Sequence, residues 1–184
     1  MSKQAFKSPK GDISWAFLSG KGHTNLQGKQ EYCITITAPL AVAQASIDEI
    51  NAFWDENKPK SAKKAKSLGY KMSEDGKSVS FSLKTSTTYT DGNVKKIRVY
   101  NAKAQEIELP EDQKVGNGSR GRATGTLAIY DQGVAAQGVT IYLNDVQITK
   151  FVPYAGKGAG FEAEEDEGGF EGFASPSFMA DDEV

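Results

Sequence analysis

Val139-Thr140-Ile141-Tyr142-Leu143-Asn144-Asp145-Val146-Gln147-Ile148-Thr149-Lys150-Phe151 reads as a strand that changes phase part-way along. Its apolar side chains occupy odd positions at Val139, Ile141 and Leu143, then even positions at Val146 and Ile148. Side chains of a strand alternate between its two faces, so both halves face one core only if an extra residue is accommodated near Asn144 or Asp145. Such a bulge bends strands around small barrels.

Working outward, Ser78 to Lys84 gives the cleanest alternation, with Val79, Phe81 and Leu83 apolar between Ser78, Ser80, Ser82 and Lys84. One face is expected to be buried and the other wet. Ile13 to Leu18, Glu31 to Thr37, Val94 to Tyr100 and Ala123 to Tyr130 are similarly rich in β-branched and aromatic residues, and Gly, Asn, Asp or Ser clusters separate most of them. Six extended segments fit a small barrel or sandwich. One helix is expected between the second and third segments. Ser46-Ile47-Asp48-Glu49 reads as a capping box, Ile47, Ile50, Phe53 and Trp54 share a face, and Asn57 with Pro59 closes the element. Trp15 alternates with Ile13 and Phe17, so both Trp15 and Trp54 are expected in the core.

Charge divides the chain unevenly. The formal balance is −2, yet Phe161 to Val184 carries nine acidic residues and no Lys or Arg. Removing that segment leaves 22 basic residues against 24 minus 9, or 15, acidic ones, a body near +7. Clustered cations suit a polyanion, and an anionic segment on the same chain can occupy the cationic surface until the polyanion displaces it. At 184 residues one ordinary domain is expected, spanning 1–155, followed by a Gly-rich linker and disordered acidic tail at 156–184.

Several function classes lose support. Lys3, Lys7 and Lys10 are followed by no apolar run, no stretch approaches membrane-spanning length, and Cys33 is the single cysteine. A cytoplasmic address is therefore expected, with no membrane partner and no disulfide framework. Gly116-Asn117-Gly118-Ser119-Arg120-Gly121 has dinucleotide-binding spacing but precedes a strand where a helix N-terminus is required. It reads instead as a turn delivering Arg120 and Arg122 into the next strand. Gly20-Lys21-Gly22 lacks the remaining parts of a phosphate loop. His23 and Cys33 cannot assemble a His/Cys zinc set, so neither metal, cofactor nor catalytic residues are expected.

Cations and tyrosines gather on the wet faces. Lys58 to Lys66 holds five lysines without an acid, among them Lys63, Lys64 and Lys66. With Ile97 and Val99 inward, Lys96, Arg98 and Tyr100 face out beside Lys95, while Tyr130 keeps phase with Thr124 and Thr126, and Tyr142 lies opposite Ile141 and Leu143. Cations track phosphates and rings stack on bases, each stack contributing about 1–3 kcal/mol. Read singly, each tyrosine is equally a core-edge residue and the lysine run a solvated loop; their coincidence favours a ligand. The expected phosphate contacts are Lys63, Lys64, Lys66, Lys95, Lys96, Arg98, Arg120, Arg122 and Lys150, and the expected stacking residues are Tyr89, Tyr100, Tyr130 and Tyr142. In the tail, Glu164, Glu165, Asp166, Glu167, Phe170, Phe173, Phe178, Asp181, Asp182 and Glu183 set phenylalanines among carboxylates, imitating bases among phosphates.

Val115-Gly116-Asn117-Gly118-Ser119, then Gly138-Val139-Thr140-Ile141-Tyr142-Leu143 with Val146-Gln147-Ile148, is similar to a pattern near the end of the domain in bacteriophage single-stranded-DNA-binding proteins of the OB-fold kind. Architecture extends the resemblance along the chain, but recognisable motif covers only about 35 residues. It implies a mainly β, five- or six-stranded OB-like barrel with one helix between strands. The implied ligand is single-stranded DNA, held without sequence preference during replication, recombination or repair. It also implies a tail that damps DNA binding and recruits replication or recombination proteins, in host bacterial cytoplasm if the chain is phage-encoded. Several relatives end in a docking aromatic, whereas this chain ends Asp181-Asp182-Glu183-Val184. A β-domain protein-interaction adaptor or virion component, and an RNA-binding OB domain, are the alternatives; monomer and homodimer are both compatible with the sequence.

Overall fold

A computed structural model describes residues 2–110 and 114–154. Within these residues, ten strands and one helix follow in the order β1 (Lys3–Lys7), β2 (Gly11–Phe17), β3 (His23–Thr24), β4 (Gln30–Pro39), α1 (Leu40–Asn57), β5 (Tyr70–Met72), β6 (Ser78–Ser86), β7 (Arg98–Tyr100), β8 (Glu106–Ile107), β9 (Arg120–Asp131) and β10 (Gln137–Lys150). Five of them close on one another in the cycle β2–β4–β6–β10–β9–β2. Within it the β6–β10 contact is parallel and the others are antiparallel. This ring is OB-like, and closure leaves its members few free edges. β1 is added outside β9, β5 outside β6, and β7 with β8 outside β10.

The alternating strands fill the ring as their patterns require. Ile13, Ile34, Ile36, Val79, Phe81, Leu83, Leu127, Val139, Ile141 and Val146 are essentially inaccessible to solvent, and burial of side chains this size contributes about 1.5–3 kcal/mol each. The phase change in β10 is a bulge between Leu143 and Asp145. It leaves Asn144 unpaired and returns Val146 and Ile148 to the interior. Closure also needs two glycines. Gly11 of β2 lies opposite Gly121 of β9, where a β-carbon would collide with the carbonyls of Thr37 and Gln147 respectively.

Helix α1 starts six residues before the Ser46 capping box, which lies in the helix interior. Pro39 ends β4 with φ −57 and sits at the cap, and the first free amide, Leu40 N–H, donates to the Lys77 carbonyl at 2.9 Å. Leu40-Ala41-Val42-Ala43-Gln44-Ala45 is mostly strong helix former, so propensity extends the helix back to the proline and overrides the cap motif. Its buried stripe is Ala43, Ile47, Ile50, Phe53 and Trp54. The Asn57 side chain closes the last turn by donating to the Phe53 carbonyl at 2.9 Å.

Trp15 is not in the core: it is 69 % exposed, with φ 50. Pairing in β2 slips between Ser14, opposite Thr35, and Phe17, opposite Cys33. Trp15 and Ala16 therefore share one partner position, and the odd-number alternation running from Ile13 through Trp15 to Phe17 is broken. Left-handed backbone costs a non-glycine residue about 1–2 kcal/mol. The sequence also did not reveal β1, β3, β5 and β8, which have two to five residues each and too few apolar positions to show a period.

Ser119 gives the Gly-Asn-Gly-Ser turn a structural task. Fully buried, its hydroxyl donates to the Val152 carbonyl at 3.1 Å and accepts from Val152 N–H at 2.9 Å, while its carbonyl accepts from Ile13 N–H at 2.8 Å. One side chain thereby ties the exit of β10 to the entrance of β9 and the start of β2. Among the described residues no helix is long and apolar enough to cross a membrane.

Candidate nucleic-acid interface

On the outer face, register stacks side chains into rows, because residues directly paired across strands point the same way. Arg122 of β9, Gln147 of β10 and Tyr100 of β7 form one row. Thr124, Asp145 and Arg98 form the next. Thr126, Tyr142 and Lys84 of β6 form a third, and Tyr130 closes the series beside Gly138. From Arg122 to Tyr130 this face runs eight residues along β9, about 27 Å at strand rise.

The central and Tyr130 end of the face is concave. An open groove of about 1340 Å³ is lined by Lys3, Tyr89, Lys95, Lys96, Arg98, Tyr130 and Tyr142, with Thr85, Thr126, Asn144 and Asp145 among its polar walls. Six of the residues expected to touch a ligand thus share one cleft. Tyr89 and Tyr142 are 56 % and 45 % exposed, respectively. Tyr89 opens a tight turn in which its N–H donates to the Asn93 carbonyl at 2.8 Å. Lys95 lies with Nζ 5.2 Å from the Tyr89 ring centroid and donates to Thr85 Oγ1 at 2.9 Å. Cation and ring are held together at the groove wall, within cation–π range.

The neighbouring cations have acidic partners. Arg98 makes a two-point contact with Asp145, Nε and the terminal nitrogen lying 3.0 and 2.9 Å from its oxygens. That contact holds the guanidinium pKa above its ordinary value. Lys96 lies 3.1 Å from Glu108, whose hydrogen bond and charge raise the ammonium pKa likewise. The Lys96–Glu108 pair is solvent-facing and weak by nature, while in the two-point pair Arg98 is exposed and Asp145 half-buried, so a polyanion competes with a carboxylate at each cation.

The remaining expected contacts fall into two groups outside the groove lining. Arg120 and Lys150 are paired across β9 and β10 at the other end, where Arg120 is also bound to Asp12 at 2.8 Å. Arg122 and Tyr100 share that end, and Arg122 Nε is buried without a partner among the described residues. Lys63, Lys64 and Lys66 are exposed on the segment after α1. It is tied down by Lys66 N–H to the Gln137 carbonyl at 2.7 Å and by Gln137 Nε2 to Ser61 at 3.2 Å. Gln137 Nε2 also donates to Asp131, a groove residue, at 2.9 Å, which sets the lysine loop beside the groove's end. The tail candidates, Glu164 to Glu183, lie outside the described residues.

Two cations were missed in the sequence. Lys84 was visible on the wet side of the Ser78-to-Lys84 alternation, but nothing local announced that β10 would place Tyr142 beside it. Lys3 reaches the groove because β1 pairs with the edge of β9, with Lys3 opposite Ala128; its five-residue strand carried no period to detect.

No protein-family model and no curated protein matches the chain. Solved structures do. The single-stranded DNA-binding protein gp2.5 encoded by bacteriophage T7 superimposes with a TM-score of 0.65 at 18 % identity, over 95 % of this chain and 100 % of that one. This chain has the fold of a phage single-stranded-DNA-binding protein. The single-stranded DNA-binding protein of bacteriophage Enc34, in complex with ssDNA, matches with a TM-score of 0.53 at 15 % identity over 83 % of this chain and 89 % of that one. A C-terminal truncation of the Enc34 protein matches with the same TM-score of 0.53 at 16 % identity.

Proposed function

We propose that the chain binds single-stranded DNA with little sequence preference and protects or organises it during phage DNA replication, recombination or repair. The observation that carries this reading is the groove, where Lys95, Lys96 and Arg98 share one lining with Tyr89, Tyr130 and Tyr142 on the outer face of an OB-like ring. Such a surface tracks a phosphate backbone with cations and accepts any base on a ring face, which makes binding strong in charge and indifferent to sequence. Arg120, Arg122 and Lys150 extend the phosphate track at one end, with Tyr100 as a further stacking residue, and Lys63, Lys64 and Lys66 extend it at the other. The solved neighbours named for single-stranded DNA binding support the same assignment.

The acidic tail is assigned a competitor's role, covering the groove in the absence of DNA and offering its phenylalanines to replication or recombination proteins. Its charge supports this, with nine acids and no base after Gly160. A coil of that many residues would span about 25–30 Å, comparable with the size of a body whose radius of gyration is about 15 Å.

Titration of a fluorescent oligothymidine with the full chain and with a form ending at Gly160, at several salt concentrations, tests both parts. Tighter binding by the shorter form is expected, with log affinity falling against log salt by about 0.7 per phosphate neutralised. Equal binding by the two forms removes the tail's competitive role and keeps the groove. Absence of binding by both overturns the assignment and favours a protein-interaction role.

A further inference from the structure

Trp15 is an indole turned into solvent by a device in the backbone. Ser14 pairs with Thr35 and Phe17 with Cys33, so Trp15 and Ala16 together oppose Ile34, and Trp15 takes a φ of 50. The bulge is braced: the Cys33 thiol donates to the Trp15 carbonyl at 3.6 Å, and the Phe17 ring centroid lies 5.1 Å from that of His23. A strained conformation held in place by its surroundings, with a large apolar side chain 69 % exposed at its apex, is a feature of binding sites more than of folding.

Register carries this site into the groove. Phe17 lies beside Cys33, Cys33 beside Lys84, Lys84 beside Tyr142, and Tyr142 lines the groove. Direct pairing puts all four on the outer face. An aromatic group thus stands at each end of the row, with a lysine between them. That order suits a strand of alternating phosphates and planar bases, and charge complementarity favours a polyanion over an apolar partner.

We infer that Trp15, exposed two residues before Phe17, is a base-stacking platform beside the far end of this row, so that a single strand leaving the groove at Tyr142 crosses β6 and β4 to reach β2. The inference rests on the single-stranded-DNA reading above and extends its footprint around the ring. It also makes the chain its own reporter. The other tryptophan, Trp54, is only 7 % exposed in the buried stripe of α1, so any tryptophan response to a ligand comes from Trp15.

The test uses the full chain at low salt. Anisotropy of a labelled oligothymidine reports binding by whatever contacts, and intrinsic tryptophan emission on titration with unlabelled oligothymidine reports Trp15. Emission is expected to quench with the same midpoint as the anisotropy. Trp15→Gly, which suits the positive φ and leaves the bulge intact, is expected to bind about 5- to 150-fold more weakly, the loss of one stacked base, while melting no lower than the unsubstituted chain. Trp15→Phe should recover most of the affinity without the quench. Normal anisotropy with unchanged emission, and a Trp15→Gly variant that binds as the unsubstituted chain does, would overturn the inference and leave the groove standing. No anisotropy change for any of the chains overturns the inference and the groove reading together.

Discussion

Strand β10 carries its extra residue, Asn144, where its outer partner changes from β6 at Tyr142 to β7 at Asp145. Strand β2 carries its extra residue at Trp15, with β4 as its partner on both sides. The first bulge lets one strand serve two neighbours and keeps Leu143, Val146 and Ile148 buried. The second serves no change of partner and turns a large apolar group outward. The same one-residue irregularity closes the ring in one place and builds surface in the other.

Deleting each extra residue separates the two tasks most sharply. Without Asn144, Leu143, Asp145, Val146, Gln147 and Ile148 alternate regularly, yet β10 loses the bend that carries it from β6 to β7. A loss of about 2–4 kcal/mol is expected, which for a chain of this size lowers the melting temperature by about 5–15 °C. Deleting Trp15 leaves Ile13, Ser14, Ala16, Phe17 and Leu18 in regular alternation, removes a left-handed residue, and is expected to change stability by less than about 1 kcal/mol. Thermal melts of the two deletions decide this. Equal losses would mean that β2 also needs its bulge for closure.

An intermediate effect is expected at Asp145, the residue after Asn144. Its carboxylate occupies Arg98 from inside the groove wall. Asp145→Asn frees that cation for a phosphate, and one further phosphate contact strengthens oligothymidine binding about 5-fold at 0.1 M salt and steepens the salt slope by about 0.7. Stability should fall by about 1 kcal/mol, since Arg98 is exposed while Asp145 is half-buried. Arg98→Ala should weaken binding instead. If both variants bind like the unsubstituted chain, the strand does not pass this row.

The two bulges also show what was legible before any coordinates. In β10 the apolar residues on both sides of the irregularity point inward, so the phase change stands written as odd positions giving way to even ones. In β2 exposed Trp15 and half-buried Phe17 are both aromatic and continue the phase of buried Ile13 so well that the irregularity disappears. Ala16 and Leu18, the residues that do face inward, are small or terminal and gave no counter-signal. The groove divides in the same way. Lys96, Arg98 and Tyr142 follow from period two along single strands, whereas Lys3, Lys84 and the carboxylate on Arg98 depend on which strands meet. Pairing between β6 and β10, or between β1 and β9, is a property of ring closure that no local window contains.

Cys33 offers the smallest effect, and it tests the bulge without DNA. Burial first, and the charge of Glu31 second, push its thiol from the ordinary 9.0 up to about 11. The folded state therefore holds the thiol proton more tightly than the unfolded chain does. Its contribution to stability is complete below about pH 9, where both states are protonated, and is lost as pH rises from there toward 11. Only from about pH 11 does the folded bulge also lose the donor to the Trp15 carbonyl. Alkylation of the native chain should accordingly be slow at pH 8 and accelerate only near pH 11, and Cys33→Ala should flatten the fall in melting temperature between pH 9 and 11. Rapid alkylation at pH 8 would show that β2 and β4 part readily beside Trp15. The bulge would then be an opening in the ring, and the contrast with the closing bulge of β10 would be wider than their static geometry alone shows.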